Sequence, residues 1–385
     1  MSEIRIEKIA VRELFIFSKN AEANKNRYPV LPINAIRAFA HSKNPAAEDE
    51  DIGLIVAYYE DRCIGYLGVL PCWYKAGEKL SKVCALSTFY VDQAFRGHGA
   101  AKLIMEAAID LGYDLILSGF TPSAEKFYRK NPQWFKPADG TNYINIRFHW
   151  LFPLLILRLV RRRIFSSSSG LFYRLIKNST QKIDTALSHL IYYFVRPLRE
   201  NWTEELTFRP ASQITELQIN EPPDSKAHLF RDARIINWML RYPWIKEDSK
   251  AEPNYFFSSN REEFKFFSFE LYENRTGEKK GYVVLSVSTQ NSFSRLKILD
   301  SAVVDKKYLK CIFDFALREA LKRQAVLNAS DIFWTYSQKN VLLKSLTQNL
   351  KRGNFLVFST KRESVFTNSQ HDLRIDFCDG DIPFI

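Results

Sequence analysis

An apolar run from Val83 to Val91 leads through Asp92-Gln93-Ala94-Phe95-Arg96 into a loop with two closely spaced glycines, Gly97 and Gly99. An amphipathic helix follows at once, with Ile104, Ala107, Ala108 and Leu111 on one face. Strand, glycine loop and helix in immediate succession point to an α/β fold. Glycines let the backbone approach a ligand closely, and the first N–H groups of the helix point into the loop. With the helix dipole, this makes an anion site sized for a phosphate or pyrophosphate. Arg96 adds a cation at the rim, suited to forked contacts with phosphate oxygens. The loop is neither a P-loop, which needs a Gly-Lys-Ser/Thr ending, nor a dinucleotide fingerprint, which needs three glycines and a later acid. Taken alone, it also reads as a glycine-rich turn with no ligand.

The flanks narrow the choice. Ile52–Tyr59 and Cys63–Leu70 read as a hairpin around Glu60-Asp61-Arg62. Tyr113–Phe120 reads as another strand, and Thr121–Lys130 as a short helix with an N-cap and an early proline. This order of elements and the loop Arg96-x-x-Gly99-x-Ala101 resemble the GNAT acetyltransferases, whose acyl-CoA pyrophosphate loop is written R/Q-x-x-G-x-G/A. A second family pattern, N-x-x-A-x-x-L/F-Y-x-x-x-G-F, is met by Ala124, Phe127 and Tyr128, with Thr121 in place of the Asn and Pro132 in place of the Gly. The resemblance covers roughly residues 1–150.

The second half repeats the grammar of the first. Strand-like runs at Glu263–Tyr272, Gly281–Thr289 and Leu296–Val304 precede an amphipathic helix from Tyr308 to Gln324. A strand at Asp331–Tyr336, a helix at Lys339–Leu350 and a strand at Phe355–Ser359 complete the expected series. The expected fold is therefore α/β: tandem GNAT-like acyl-CoA acyltransferase folds, each a mixed, mostly antiparallel sheet flanked by helices. The expected divisions are a GNAT acetyltransferase domain at 1–150, a basic helical linker at 151–210 and a degenerate GNAT-like domain at 211–385. Degeneracy is expected because Asp305-Lys306-Lys307-Tyr308 stands where the first half has its glycine loop, and about Lys344 where it has Tyr128. The stretch Phe230-Arg231-Asp232-Ala233-Arg234, with Trp238-Met239-Leu240-Arg241-Tyr242-Pro243-Trp244, is similar to one in GNAT-like proteins of bacterial envelope pathways. The same residues also suit packing of a helix onto the second sheet.

The chain of 385 residues carries a net charge of +12, and 46% of it is hydrophobic, as in ordinary globular proteins. Between Ile146 and Glu200, ten basic residues face two acids, Asp184 and Glu200. With the apolar Leu154–Leu159 beside Arg161-Arg162-Arg163, and a helical Leu171–Phe194, the linker reads either as helices packed between domains or as a peripheral contact with anionic membrane. Nucleic acid is not expected, since no recognised nucleic-acid module accompanies the charge. The apolar run Trp150–Leu157 is too short to span a bilayer. Five scattered cysteines without CxxC spacing read as reduced thiols. With no h-region at the N-terminus, they make a cytoplasmic location the expectation. Six histidines, none at metal-ligand spacing, predict no metal.

The resemblance implies acetyl-CoA (acyl-CoA) as co-substrate and a primary amine of a small molecule, such as an amino sugar or envelope precursor, as acceptor. It implies that the strand at Tyr90 and Val91 holds the pantetheine arm and polarises the thioester carbonyl. It places Arg96, Gly97, His98, Gly99, Ala100 and Ala101 around the pyrophosphate. Tyr128, with a free phenol pKa of about 10 against about 8.5 for a thiol, would protonate the departing sulfur. No carboxylate stands at the start of the strand, where Lys82, Val83 and Cys84 are found. Either water removes the amine proton or a base comes from elsewhere, Glu78 and Asp92 being the candidates. The other reading of the chain is a non-catalytic acyl-CoA-binding or scaffold protein that docks on a partner or membrane.

Overall fold

The computed structural model describes residues 3–117, 122–130, 136–138, 142–147, 205–217, 228–247, 254–257, 260–290, 293–339, 341–351 and 355–358. The expected linker helix and its three consecutive arginines lie outside these residues, as do Thr121 and Pro132.

The first half runs β1 (Ile4–Ala10), α1 (Leu14–Ala23), α2 (Ala35–His41), β2 (Ile52–Tyr59), β3 (Arg62–Ala76) and β4 (Lys79–Val91). It continues through α3 (Ala100–Ile109), β5 (Asp114–Leu117), α4 (Pro122–Arg129), β6 (Lys136–Ala138) and β7 (Asn142–Ile146). Next come β8 (Leu206–Pro210), β9 (His228–Phe230), α5 (Ala233–Arg241), β10 (Lys246–Glu247) and β11 (Asn260–Arg261). The second half then runs β12 (Glu263–Glu273), β13 (Lys279–Gln290), β14 (Phe293–Val303), α6 (Leu309–Lys322) and β15 (Val326–Ser330). It closes with α7 (Trp334–Ser337), α8 (Val341–Leu346), β16 (Thr347–Lys351) and β17 (Phe355–Phe358).

Two mixed sheets result. In the first, the order is β1-β2-β3-β4-β5-β17-β6, with β9 pairing on β3; in the second it is β16-β7-β15-β14-β13-β12-β8. Each has a single parallel pair, β4 with β5 and β14 with β15, and is otherwise antiparallel among the described residues. The halves therefore repeat one architecture, as the sequence grammar implies.

Sheet membership does not follow the divisions at 150 and 210. After α4, β7 leaves the first half and lies between β15 and β16 of the second sheet. After α8, β17 leaves the second half and lies between β5 and β6 of the first. β8 already belongs to the second sheet, and β9 to the first. The first half lends the second one strand, β7, and receives β17 and β9 from it.

Two expected elements change. Asp331–Tyr336 is not a strand: a 3-10 turn at Asp331–Phe333 runs into α7, and the strand is the preceding Val326–Ser330. Phe333 is buried from that turn, so burial of aromatic residues there serves a helical segment. The expected helix at Lys339–Leu350 ends at Leu346, because Thr347–Lys351 is drawn into pairing with the visiting β7.

One apolar cluster joins the halves: Leu70, Tyr74 and Val83 of the first pack with Trp238, Trp244, Phe264 and Leu299 of the second. Trp238 Nε1 donates to the Ala40 carbonyl at 2.8 Å, and Arg231 Nε meets Asp300 Oδ2 at 2.8 Å. The Arg- and Trp-rich stretch thus serves packing, which satisfies its indole N–H and guanidinium inside the contact. Within the second sheet, Glu270 accepts from Lys279 Nζ (2.8 Å), Thr215 Oγ1 (2.7 Å) and Tyr272 Oη (2.7 Å). Burial alone would raise its carboxyl, but these bonds outweigh burial and hold it at about 2, below the ordinary 4.5. A carboxyl depressed on folding contributes stability above its unfolded value, and that contribution is lost as pH falls toward 2. Glu270→Gln is expected to lower the urea midpoint at pH 7, with the gap to the wild type narrowing between pH 4.5 and pH 2. A gap that does not change with pH would show that the ionised carboxylate is not what stabilises the sheet.

Candidate functional site

The site lies at the C-terminal end of β4. The parallel pairing of β4 with β5 runs from Val83↔Asp114 to Leu86↔Leu117 and stops there among the described residues. Past Leu86, β4 keeps β3 as its partner through Val91. The register with β3 shifts between Tyr66↔Tyr90 and Gly68↔Ser87, leaving Thr88 and Phe89 opposite Leu67. That is a β-bulge, and Thr88 takes a positive φ of 50° in it. The apolar run Val83–Val91 shows no alternation that would have revealed it.

Beyond Val91 the chain makes one 3-10 turn at Gln93–Phe95, capped by the Asp92 side chain on the Ala94 N–H at 3.0 Å. Gly97 and Gly99 follow with φ of 88° and 89°, in the left-handed region that favours glycine. A Cβ added at either would meet no atom within 4 Å, so the loop borders open space. Gly99 opens α3 with no side-chain cap, and the first helical bond is Leu103 N–H to the Gly99 carbonyl at 3.0 Å. The N–H groups of Ala100, Ala101 and Lys102 therefore precede that bond at the open end of the helix. Arg96 is exposed, and its Nε folds back onto the Val91 carbonyl at 3.3 Å. His98 is exposed beside Phe95, whereas Ala100 is buried where α3 meets the sheet. An uncapped, dipole-oriented helix end bordered by open space and one cation suits a diphosphate. These observations are the fit of acyl-CoA's pyrophosphate to this chain.

Tyr128 lies on α4 at the same bulge. Its ring stacks on Phe89 with centroids 6.2 Å apart, and only 2% of the residue is exposed. Desolvation raises its phenol above the usual range, which keeps the proton on the oxygen. Tyr90 points to the opposite face, and burial, with the Asp92 charge second, raises its phenol too. The structure thus brings Tyr90, Val91, the Arg96–Ala101 loop and Tyr128 to one stretch of β4 and the helix end beside it.

Of the two candidate bases, one adjoins the site but is engaged and the other is distant. Asp92 is committed to its cap and to Arg62 Nη2 at 3.1 Å. Glu78 sits in the exposed β3–β4 turn, ten residues before Thr88, roughly 30 Å along an extended strand. Lys82 is paired with Asp51 at 2.7 Å and with Glu48 at 3.0 Å. Cys84 is buried, and desolvation raises its thiol well above the ordinary value, so it is no nucleophile.

The second half has no counterpart of the loop. Asp305 caps the Lys307 N–H at 2.9 Å, as Asp92 caps Ala94, but the 3-10 turn Lys306–Tyr308 then passes directly into α6 at Leu309. The four residues Arg96–Gly99 have no equivalent, and the buried Tyr308 precedes the helix instead. Lys344, at the place of Tyr128, is exposed on α8.

Residues 13–130 match the model of the acetyltransferase (GNAT) family. This segment is a GNAT acetyltransferase domain. The match spans α1 to α4 and so contains the bulge, the loop and Tyr128 of the GNAT domain. The whole chain is similar in structure to a GCN5-related N-acetyltransferase from Anabaena variabilis, with a TM-score of 0.50 and 12% identity over 93% of this chain and 73% of that one. It is equally similar to a probable N-acyltransferase from Enterococcus faecalis, at TM-score 0.50 and 10% identity over 94% of this chain and 73% of that one. Identities this low speak for the fold alone, and the fold they share extends beyond the GNAT domain into the second half. No curated protein matches the sequence.

Proposed function

We propose that the chain transfers an acetyl or other acyl group from acyl-CoA to a primary amine of a small molecule, using the GNAT domain alone. The observation that carries this reading is the uncapped start of α3 at Gly99, which borders open space and follows the bulged end of β4. Acyl-CoA supplies the acyl group and a thiol leaving group. In this reading the N–H groups at the start of α3, with Arg96, hold the pyrophosphate, and the backbone of Ser87–Val91 orients the arm and polarises the thioester carbonyl. As the amine nitrogen bonds to the carbonyl carbon and the C–S bond breaks, Tyr128 gives its proton to sulfur. The nitrogen's surplus proton passes to water, since Asp92 is engaged by its cap and by Arg62, and Glu78 is distant. An amino sugar or envelope precursor is the acceptor suggested by the sequence resemblance.

Tyr128→Phe tests the chemistry. It keeps the ring packed on Phe89 and removes only the hydroxyl, so we expect turnover to fall at least tenfold while CoA affinity by calorimetry stays within about twofold. Wild-type turnover in this variant would remove Tyr128 as the acid.

We further propose a cytoplasmic location, supported by the buried thiols of Cys63, Cys84 and Cys311, which form no disulfide. Contact of the basic segment around Arg161, Arg162 and Arg163 with anionic lipid completes this proposal. It predicts co-sedimentation with acidic vesicles at low salt, lost when the three arginines are changed to Ser. A chain that ignores acidic vesicles at low salt would leave that charge to packing between the halves.

A further inference from the structure

The bulge in β4 has two faces, and the donor side uses only one. Phe89, Val91 and Tyr128 pack with α3 in one cluster, while Tyr66 and Tyr90 pack on the side of α1 and α2. On this second face a Cβ at Gly68 would lie 2.6 Å from Ser87 Oγ and 2.7 Å from Thr88 Oγ1. The bulge thus turns two successive hydroxyls toward one point, and the missing side chain of Gly68 leaves them room. Arg37 enters from α2, buried, with Nη2 donating to Ser87 Oγ at 3.2 Å and Nη1 to Tyr255 Oη at 3.3 Å.

Tyr66, two residues before Gly68 and so on the same face of β3, lies near enough to Tyr255 and Arg37 for both to act on its phenol. The residue is 0% exposed and its hydroxyl has no hydrogen-bond partner. In the same cluster the hydroxyls of Tyr28 and Tyr58 satisfy each other at 3.0 Å, so the surroundings do not preclude pairing. A buried hydroxyl without a partner destabilises the fold, and buried polar groups are otherwise nearly always paired. Desolvation raises this phenol, so it is a neutral donor at any working pH.

The cover over the group comes from the second half. The Asn254 carbonyl accepts from the Leu31 N–H at 2.7 Å. Phe257 meets the Tyr66 ring edge-on at 6.3 Å, and Phe256 lies over Tyr90 at 5.2 Å. Phe256 is 62% exposed and forms the outer rim of this cover, while Tyr255 beneath it is buried.

We propose that Tyr66, Arg37, Ser87 and Thr88, covered by Tyr255–Phe257, form the acceptor subsite, and that it takes a primary amine carrying a hydrogen-bond-accepting oxygen, a carboxylate or carbonyl, close to the nitrogen. The inference rests on the acyl-transfer reading. Its chemistry follows from the donors: the Tyr66 hydroxyl has none of its hydrogen-bonding capacity used, and Arg37 spends two N–H groups on neutral hydroxyls, which a carboxylate or carbonyl oxygen can displace. Its location follows from the donor side, because Phe89, Phe127 and Tyr128 fill the other face of the bulge. The second half, which lacks a phosphate loop, would then contribute to acceptor choice.

The test uses the full chain and its Tyr66→Phe variant. Thiol release from acetyl-CoA is followed with primary amines bearing an adjacent carboxylate, an adjacent amide carbonyl or only hydrocarbon, and CoA binding is measured by calorimetry. The wild type is expected to prefer the oxygen-bearing amines. Tyr66→Phe should raise KM for these about tenfold at nearly unchanged kcat, leave hydrocarbon amines and CoA affinity unaffected, and raise the Tm of the ligand-free chain. A merely structural hydroxyl would move the Tm but not KM. Equal KM values in both proteins, a preference for hydrocarbon amines, or CoA binding without acetylation of any of these amines would overturn the inference. Absence of CoA binding would overturn the acyl-transfer reading beneath it as well.

Discussion

Gly99→Trp should abolish CoA binding, from about one site per chain to none detectable by calorimetry. The reason lies in the position and not in the fold. Gly99 borders open space at the mouth of α3, so an indole there meets no protein atom at its Cβ and fills the volume a diphosphate requires. Its φ of 89° adds a backbone penalty for any L residue, roughly 1 kcal/mol. Gly99→Ala separates the two effects, because it carries the same penalty with little bulk. We expect the Ala variant to bind CoA within about tenfold of the wild type and to melt at the same temperature as the Trp variant. Undiminished binding in Gly99→Trp would place the diphosphate elsewhere. Two equal sites per chain in the wild type would contradict the loss of the loop before α6.

The pieces legible in sequence were those whose signal is local. The run Val83–Val91, the paired glycines and the apolar face Ile104, Ala107, Ala108 and Leu111 announced strand, loop and helix, and the structure has each in place except Leu111, which follows the end of α3 at Ile109. The missing loop of the second half was equally plain in Asp305-Lys306-Lys307-Tyr308. The bulge at Thr88 was not legible, because β4 is fully buried at Val83–Leu86 and evenly half-buried at Ser87–Val91, so it shows no alternation whose slip would mark the extra residue. Arg37, Tyr66 and Tyr255 were missed for another reason. They are separated by dozens to hundreds of residues, and only β-sheet register and the docking of Asn254–Phe257 bring them together. Asp331–Tyr336 misled because aromatic residues bounded by polar ones suit a strand and a tightly packed helical turn alike. Strand exchange leaves no local trace at all. β7 and β17 read as ordinary strands, and nothing in either sequence says which sheet it enters.

That exchange makes the two halves interdependent, and the largest stability effect is expected there. β17 pairs with β5 through Leu356↔Leu117, Val357↔Ile116 and Phe358↔Leu115, so the last strand of the second half lies directly beside the parallel neighbour of β4. A chain ended after Lys351 loses this strand, leaves β5 with an unpaired edge and separates β6 from its sheet. A fragment of residues 1–150 fares worse. It lacks β17 and β9, and its own β7 has neither β15 nor β16 to pair with. It also exposes Leu70, Tyr74 and Val83, which in the whole chain are covered by Trp238, Trp244 and Leu299. Boundaries drawn from sequence grammar alone would make this fragment a complete acetyltransferase. Sheet topology predicts instead that it aggregates or melts without cooperativity and gives no heat with CoA. Adding back residues 205–385 in trans should restore a soluble complex and, with it, CoA binding, since β7 and β17 would again find their places. A soluble, cooperatively melting 1–150 fragment with full CoA affinity would show that the lent strands are dispensable to the first half.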